Sequence, residues 1–337
     1  MGHALRRPLA VTMGEPSGIA GEIIIKAWHA PDGRPVPSFA YIGDPNWLRA
    51  EAHRLKSHTH VIEVATLSEA AERFYDGLPV LPLPLAVRPV YGTPNAKNGV
   101  KIIESIRLAV SLTQSHDALA VVTSPIHKAS LYEAGFSFPG HTEFLASLSN
   151  TTEPVMMLAI DGLRVVPVTV HVSLAQAIKS LTSEKILTAA RTVHQALIRD
   201  FRVEKPRLAV AALNPHAGEQ GTMGDEEQRI IRPAIAQLIS EGCSVIGPLP
   251  ADTLFHHEAR QRYDAVICMY HDQALIPLKT LDFHSGVNVT LGLPYIRTSP
   301  DHGTAFDIAG QGRANPSSLL AALRLADQLG HQHASRP

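Results

Sequence analysis

The sequence predicts an α/β protein of two lobes. Apolar runs rich in β-branched residues alternate along the chain with segments in which apolar residues recur every three or four positions, the pattern of strands alternating with helices. The chain has 337 residues, of which 45% are hydrophobic and 18% charged, so it is long enough for two domains and can bury a core. No G-x-G-x-x-G sequence follows a predicted strand, so a Rossmann dinucleotide site is not supported.

Composition and charge exclude several classes of protein. The formal net charge is −1, from 30 basic and 31 acidic residues, which gives no electrostatic reason to expect nucleic acid or an anionic membrane as a partner. The two cysteines, Cys243 and Cys268, lie in apolar runs, so we expect buried, reduced thiols. Residues 1–12 lack an apolar signal-peptide core, no run of about 18 apolar residues occurs, and the tail 331–337 is expected to fray. We therefore expect a cytoplasmic protein.

The first half of the chain contains a series of strand and helix patterns. Strands are predicted at residues 9–13, 39–42, 61–64 and 118–122, and helices at residues 19–29, 45–55, 67–74 and 98–114. Residues 14–18, GEPSG, join the first strand to the first helix as a glycine-rich turn. Residues 78–87 are apolar but contain Pro79, Pro82 and Pro84. We predict at most an extended edge segment there, because proline cannot donate a hydrogen bond to a sheet.

A second set of elements follows a turn at residues 136–140 that contains proline and glycine. Strands are predicted at residues 165–170, 208–213, 244–246 and 265–269, and helices at residues 184–199, 225–240 and 316–329. Strands that alternate with helices in this way are typical of parallel sheets.

Residues 263–310 carry the densest series of polar groups, directly after the apolar run 265–269. In open α/β sheets, ligands bind outside the carboxyl ends of the strands, and a long polar connection at that place is typical of a working loop. We therefore predict that this stretch forms the floor of an active site. Its polar residues are His271, Asp272, Gln273, Lys279, Asp282, His284, Asn288, Arg297, Asp301 and His302.

Three histidines follow three predicted strands. They are His171, His216 and His271, and neutral imidazole is a good ligand for Zn²⁺ and similar ions. Their wide separation along the chain matches no short ligand motif such as H-E-x-x-H. A shared metal site and three histidines that each cap a loop both remain open interpretations.

Other polar residues suit an anionic substrate. Lys279, Asn288 and Arg297 offer a point charge, an amide donor and a planar fork, which bind phosphate or carboxylate, although scattered charges on a solvated loop would look the same. Asp252 and Asp272 could orient ligands or relay protons, and Asp252 could equally cap a helix. Neither a P-loop nor a G-x-S-x-G elbow occurs, which argues against a P-loop nucleotide site and a serine hydrolase.

Several longer motifs make the sequence resemble the 4-hydroxythreonine-4-phosphate dehydrogenase family of pyridoxal phosphate biosynthesis. The resemblance covers nearly the whole chain. More distantly, HGTAFDIAGQGRANP at 302–316 is similar to the cofactor loop of isocitrate and isopropylmalate dehydrogenases. The motifs of the closer family are TMGEPSGI (12–19), SPIHK (124–128), GHTEF (140–144), VTVHVSL (168–174), LNPHAGE (213–219), GDEE (224–227), GPLPADT (247–253), YHDQALIPLK (270–279) and GVNVTLGLPYIRTSPDHGTAFDIAG (286–310).

The resemblance implies a fold and a set of site residues. The fold would be a two-lobed α/β/α isocitrate/isopropylmalate dehydrogenase-like fold and not a Rossmann fold, with an active site in the cleft between lobes. The first lobe would span 1–138 plus about 305–337, and the second, with metal ligands and dimer interface, 139–304. The implied metal ligands are His171, His216 and His271; the substrate would be bound by His141, Thr142, Lys279, Asn288 and Arg297, and the cofactor by His302, Gly303, Thr304, Asp307 and Asn315.

The resemblance also implies a reaction. NAD or NADP would oxidise 4-phosphohydroxythreonine at C3, assisted by one divalent metal (Zn²⁺, Mg²⁺ or Co²⁺) in a homodimer whose partner subunit supplies the third histidine of each site. Two departures from the family patterns are Ala20-Gly21, where Gly-Pro is common, and Phe306, where the isopropylmalate-type loop has proline. Rival interpretations are a D-threonate 4-phosphate dehydrogenase, a metal-dependent phosphohydrolase or lyase, and a non-catalytic phospho-ligand binding module.

Overall fold

The computed structural model of the protein describes residues 7–334. The N-terminal residues 1–6 and the last three residues of the tail expected to fray lie outside the described residues. The chain divides into two compact units, Met1–Thr152 with Leu293–Pro337 as unit 1 and Glu153–Gly292 as unit 2. No helix of the described chain combines the length and the apolar character needed to cross a membrane.

The first part of unit 1 alternates strands and helices, as predicted. Asp44 caps α2 by accepting from the amides of Asn46 and Trp47, and the Asn95 side chain caps α4. The elements are β1 (Leu9–Thr12), α1 (Ala20–Trp28), β2 (Phe39–Gly43), α2 (Pro45–Arg54), β3 (Val61–Glu63), α3 (Leu67–Glu72), β4 (Leu78–Pro82), α4 (Ala96–Gln114), β5 (Val121–Val122), α5 (Lys128–Glu133) and α6 (His141–Leu148).

Unit 2 follows with a strand hairpin and then parallel strands. Its elements are β6 (Val155–Ile160), β7 (Leu163–Pro167), α7 (Leu174–Ser180), α8 (Ser183–Arg199), β8 (Arg207–Ala211), α9 (Arg232–Ser240), β9 (Ser244–Leu249), α10 (His257–Arg260), β10 (Ala265–Cys268), α11 (His271–Leu281) and β11 (Val287–Leu291). Within this unit the strand order is β11-β6-β7-β10-β8-β9. Strands β7, β10, β8 and β9 are parallel, while β6 is antiparallel to both of its neighbours.

The chain then completes unit 1 with β12 (Arg297–Pro300) and α12 (Ser317–Ala334). Strand β12 pairs in parallel with β5, and the Thr298 hydroxyl donates to the carbonyl of Ala322 in α12 at 2.9 Å. The strand order within this unit is β3-β4-β2-β1-β5-β12, and every pair is parallel. The mixed α/β fold predicted from the alternation of strands and helices is confirmed.

Strand β4 corrects the prediction of an edge segment at residues 78–87. It lies between β2 and β3 and is hydrogen-bonded to both. The amides at its two ends belong to Leu78, which donates to the carbonyl of His60 at 2.7 Å, and Leu83, which donates to Gly43 at 2.8 Å. Pro79 and Pro82 lack amide donors, but the amides of Leu78 and Leu83 beside them donate to both neighbouring segments, so the strand is tolerated inside the sheet.

Two further features differ from the prediction. Residues 271–281 form helix α11 rather than a loop, with Ala274 and Leu278 on its buried side, and Cys243 is half-buried while Cys268 is buried. By its internal contacts, unit 1 runs to Thr152 and resumes at Leu293. Helix α6 packs on the preceding segment, with the Phe144 ring 5.0 Å from that of Phe136.

Candidate active site

Three motif loops of unit 1 leave the same edge of its sheet. They follow β1, β5 and β12, which are neighbouring parallel strands, so their carboxyl ends lie side by side. The amide of Glu15 donates to the carbonyl of Pro125 at 2.8 Å, and the amide of Ile19 donates to that of Thr304 at 3.1 Å. A Cβ on Gly18 would lie 2.6 Å from the Thr304 carbonyl oxygen. The GEPSG, SPIHK and DHGTAF segments therefore form one cluster, and Gly18 permits the close approach.

Arg297 is a buried cation of the same sheet, at the start of β12. It lies on β12, is 3% exposed, and donates to Thr123 Oγ1 from Nη2 at 2.6 Å and from Nε at 3.2 Å. Burial lowers the pKa of the guanidinium to about 10, because an apolar environment disfavours the charged form. A negatively charged ligand placed against Arg297 would offset that penalty.

His141 is the first residue of α6. Burial lowers the pKa of its imidazole well below 6.5, and the positive charges of Arg297 and Lys128 lower it further. Its buried Nε2 has no hydrogen-bond partner among the described residues. Backbone N–H groups of His141 and Thr142 begin the helix, where such donors lack intrahelical acceptors and attract anions. A neutral imidazole, two cations and a helix N-terminus together suit a phosphate group.

Lys128 is a further cation at the start of α6 that the sequence prediction did not include among the site residues. It begins α5, and its Nζ lies 3.7 Å from the position that a Cβ on Gly140 would take. The amino group therefore lies beside the start of α6. The SPIHK motif, which ends at Lys128, was the only sequence feature that pointed to this residue. A single exposed lysine otherwise has no distinctive sequence pattern.

In unit 2, His171 and His271 come together after the neighbouring strands β7 and β10. Their ring centroids are 6.4 Å apart, and both line a cavity of about 250 Å³ together with Tyr270 and Asp272. The Asp272 carboxylate lies 2.7 Å from Nδ1 of His271. A carboxylate at Nδ1 orients the ring and leaves Nε2 as the nitrogen that can bind a metal.

His216 follows β8 in an unusual backbone conformation. Residues 216–220 all have positive φ, from 41° to 74°, and form one turn of left-handed helix. Such a turn costs about 1–2 kcal/mol for each residue other than glycine. Buried Glu227 holds its entrance by accepting from the amides of Leu213 at 2.8 Å and Asn214 at 2.7 Å. Strain held in place in this way is typical of functional sites.

The three histidines do not form one metal site within a single chain. His216 is not among the residues that line the cavity shared by His171 and His271. In the part of the chain that the structure describes, no group of three or more His, Cys, Asp or Glu side chains is arranged to hold a metal ion. His171 and His271 therefore lie together as two of the three expected metal ligands, and His216 lies apart from them.

Lys279 and Asn288 lie on α11 and β11 of unit 2. Lys279 is eight residues after His271 on α11, which places their Cα atoms about 12 Å apart along the helix axis at 1.5 Å per residue. The buried Oδ1 of Asn288 has no partner among the described residues. Asp252 is exposed in a short 3₁₀ turn, Ala251–Thr253, whose N-cap is Pro250, so it does not act as the cap. Within α11, Lys279 therefore lies about two helical turns away from the cavity that His271 lines.

The expected cofactor loop runs between β12 and α12. His302 Nδ1 bonds with the carbonyl of Gly303 at 3.0 Å, and Asn315 Oδ1 accepts from the amide of Ser317 at 2.9 Å. Asn315 lines a cavity of about 1000 Å³ formed with residues of α1 and α2. His302, Gly303, Thr304 and Asp307 do not line this cavity, so the structure does not gather all five expected cofactor residues in one pocket.

Comparison with known proteins agrees with these motifs. The family model described as pyridoxal phosphate biosynthetic protein PdxA matches residues 36–326. The chain belongs to the PdxA family. A 4-hydroxythreonine-4-phosphate dehydrogenase of Methylorubrum extorquens is 53% identical over 97% of this chain and 96% of its own. That of Caulobacter vibrioides is 53% identical over 96% and 97%. The crystal structure of a 4-hydroxythreonine-4-phosphate dehydrogenase from Klebsiella pneumoniae, 39% identical, covers 96% of this chain and 99% of its own with a TM-score of 0.86.

The two departures from the family patterns have structural explanations. At Gly21 a Cβ would lie 2.5 Å from the Trp47 ring, so the close packing of α1 on α2 requires glycine here. The Phe306 ring packs edge-on against His127, with centroids 5.1 Å apart. Neither departure removes one of the expected site residues.

Proposed function

We propose that this PdxA-family protein oxidises 4-phosphohydroxythreonine at C3 with NAD or NADP in pyridoxal phosphate biosynthesis. The observation that carries the proposal is the group formed at the start of α6 by the buried Arg297, the His141 imidazole with its buried Nε2, and Lys128, in a chain 53% identical to a dehydrogenase of this name. This site would hold the phosphate of the substrate. Because the phosphate itself does not react, its binding energy serves to place the neighbouring C3.

The reaction removes a hydride from C3 and a proton from the C3 hydroxyl. The hydride reduces the nicotinamide, and the proton passes to a base, for which Asp252 and Asp272 are the proposed residues. The product, 2-amino-3-oxo-4-phosphooxybutanoate, is a β-keto acid. Its C1–C2 bond breaks to release CO₂, and the ketone accepts the electron pair as an enolate. A proton then adds at C2, which gives 3-amino-2-oxopropyl phosphate.

Part of the proposal is a divalent metal ion held by His171 and His271, with His216 as the third ligand. When bound, the ion would polarise the C3 hydroxyl as a Lewis acid. Asp272 supports this role because it fixes the His271 ring from the Nδ1 side at 2.7 Å. The separation of His216 from the other two within one chain supports a ligand set completed by a second copy.

The surface near the histidine cavity supports a homodimer. On α11 and just after it, Ile276 is 63% exposed and Phe283 71% exposed, and near His171 the side chains of Val172 and Leu174 are exposed as well. Clusters of large apolar side chains at a surface are typical of protein interfaces.

We also propose that the cofactor binds the loop His302–Asn315, in the manner of isocitrate and isopropylmalate dehydrogenases. The support is the likeness of residues 302–316 to their cofactor loop and the absence of G-x-G-x-x-G. Proximity of Thr304 to the GEPSG turn, through the Ile19 amide, supports a site at this edge. A cytoplasmic location stays a prediction.

The deciding experiment is a coupled assay that follows NADH with 4-phosphohydroxythreonine and, in parallel, D-threonate 4-phosphate, each with and without a chelator. We expect turnover of the amino acid phosphate that the chelator abolishes. Faster turnover of the threonate would move the protein to sugar-acid catabolism. Product formation without nucleotide would indicate a phosphohydrolase or lyase, and ligand binding without turnover of either compound would indicate a binding module. The relatives' names favour the first outcome.

A further inference from the structure

A buried carboxylate holds the second half of the loop between β12 and α12. Glu22, on α1, is 1% exposed and accepts from the amide of Ala314 at 2.7 Å and from that of Gly312 at 3.1 Å. The Lys26 ammonium, which pairs with Glu22 at 2.8 Å, donates to the carbonyls of the same two loop residues at 2.9 Å and 2.8 Å. One ion pair therefore binds both the amides and the carbonyls of Gly312 and Ala314.

A second ion pair holds the residue at which this segment begins. Arg54 donates to the carbonyl of Gly310 at 2.8 Å and contacts Glu22 at 3.3 Å and Glu51 at 2.9 Å. The Tyr91 hydroxyl donates to Glu51, and the Tyr91 ring lies so close that a Cβ on Gly310 would be 2.6 Å from it. Gly310 has φ +77°, so only glycine fits both the contact and the backbone.

We propose that Glu22, with Lys26 and Arg54, is a positioning residue that fixes residues 310–314 and through them the dinucleotide. The inference rests on the proposed cofactor loop, because Asn315 follows the fixed segment directly. A segment of turns and irregular backbone with two glycines has many conformations available. Burying a carboxylate is unfavourable unless its oxygens are bonded, and here two amides and two cations satisfy them. The loop amides are the donors that would be lost if the segment moved.

Glu22→Gln is the direct test. Glutamine replaces one of the two carboxylate oxygens with an N–H₂ group, which faces the amide of Gly312 or Ala314 as a second donor. One of these two hydrogen bonds is lost, and residues 310–314 should become less well fixed. We expect the Kd for NADH, measured by fluorescence titration of the full-length protein, and the KM for NAD to rise on the order of tenfold to a hundredfold, the range for lost hydrogen bonds to a buried charge. The kcat at saturating NAD and the KM for the phosphorylated substrate should stay within about twofold.

Matched variants separate positioning from folding. Glu69→Gln is the control, since Glu69 also accepts a backbone amide, that of Ala65, and pairs with Arg73 four residues on, but on α3, away from the loop. Lys26→Met removes the bonds to the loop carbonyls and should weaken NADH several-fold, while Lys26→Arg, which keeps donors, should restore part of the affinity. If Glu22→Gln does not fold, the NADH affinities of Lys26→Met and Lys26→Arg test the positioning role instead.

The outcomes distinguish the two levels of the proposal. Wild-type protein that binds neither NADH nor NADPH would overturn the proposed cofactor, and the positioning role with it. Wild-type protein that binds NADH while folded Glu22→Gln and Lys26→Met bind it equally well would overturn the positioning role alone. A lower Tm with unchanged NADH affinity would likewise make the ion pair purely structural.

Discussion

Replacing Arg297 by alanine should weaken the phosphorylated substrate far more than the dinucleotide. The guanidinium is buried, and its pKa is lowered to about 10 by that burial, so it meets an anion with little competition from water. A hydrogen bond to a charged group contributes about 1.5–3 kcal/mol, and each 1.4 kcal/mol is about tenfold in affinity. We therefore expect the Kd of the substrate to rise about 10- to 150-fold, with NAD changed by less than about twofold.

Two variants control for indirect effects in the same assay, steady-state KM for each substrate with binding of inorganic phosphate as a check. Thr123→Val removes the hydroxyl that accepts from Arg297 and should weaken the substrate only about two- to tenfold, the effect of one neutral acceptor. Arg164→Ala removes a half-buried arginine of unit 2 whose guanidinium lies 4.7 Å over the Phe201 ring, and should lower stability without changing substrate affinity. Equal losses of substrate and NAD affinity in Arg297→Ala would refute the assignment of a phosphate ligand.

Three further predictions concern the metal, pH and backbone strain. Asp272→Asn should lower divalent metal retention after dialysis by about 10- to 100-fold, because His271 loses its orienting carboxylate. Glu258→Gln, which alters another carboxylate 2.7 Å from a histidine, should leave metal retention unchanged; equal retention in both variants would contradict the role. Because the pKa of His141 is lowered in the folded chain, the unfolded chain binds a proton at this residue at a higher pH than the folded chain does. Stability is therefore full above pH 6.5 and falls below it by about 1.4 kcal/mol per pH unit, a component that urea unfolding of His141→Gln should lack. Gly218→Ala should lower stability by about 1–3 kcal/mol, since φ is +74° and a Cβ would lie 2.6 Å from a carboxylate oxygen; an unchanged Tm would count against the left-handed turn.

Strands that consist of a continuous apolar run were predictable, whereas β6, β11 and β12 were not predicted; β12, with the sequence RTSP, is fully buried without being an apolar run. Strands β1, β2 and β10 are fully buried, and their sequences are continuous apolar runs. Strand β4 was not predicted to lie inside the sheet, because prolines lack the amide donor that interior strands usually need. The sequence alone does not show that the remaining amides are sufficient for pairing with both neighbouring strands. Helix α11 was hidden by the polar residues on its exposed side, although Ala274 and Leu278 keep a helical spacing.

The site was predictable only in part, for a related physical reason. Motifs located His171 and His271 after neighbouring strands, and the structure brings these two together. The roles of Lys128 and Glu22 depend on which backbone atoms approach them in three dimensions, and no local pattern records that. The left-handed turn at residues 216–220 could not be predicted either, because Gly218 is the only glycine among its five residues.

The connection of unit 2 to the rest of the chain has a practical consequence. Its first strand and its last, β6 and β11, are antiparallel partners, with Val155 opposite Leu291, so the two ends of the 153–292 segment are neighbours. A segment whose ends meet can be removed, closed with a short linker or opened at a new point without stretching its core. We therefore expect residues 153–292 to tolerate expression as a separate polypeptide or as circular permutants, in which His171, His216 and His271 can be titrated with metal in the absence of Arg297, His141 and Lys128 of unit 1.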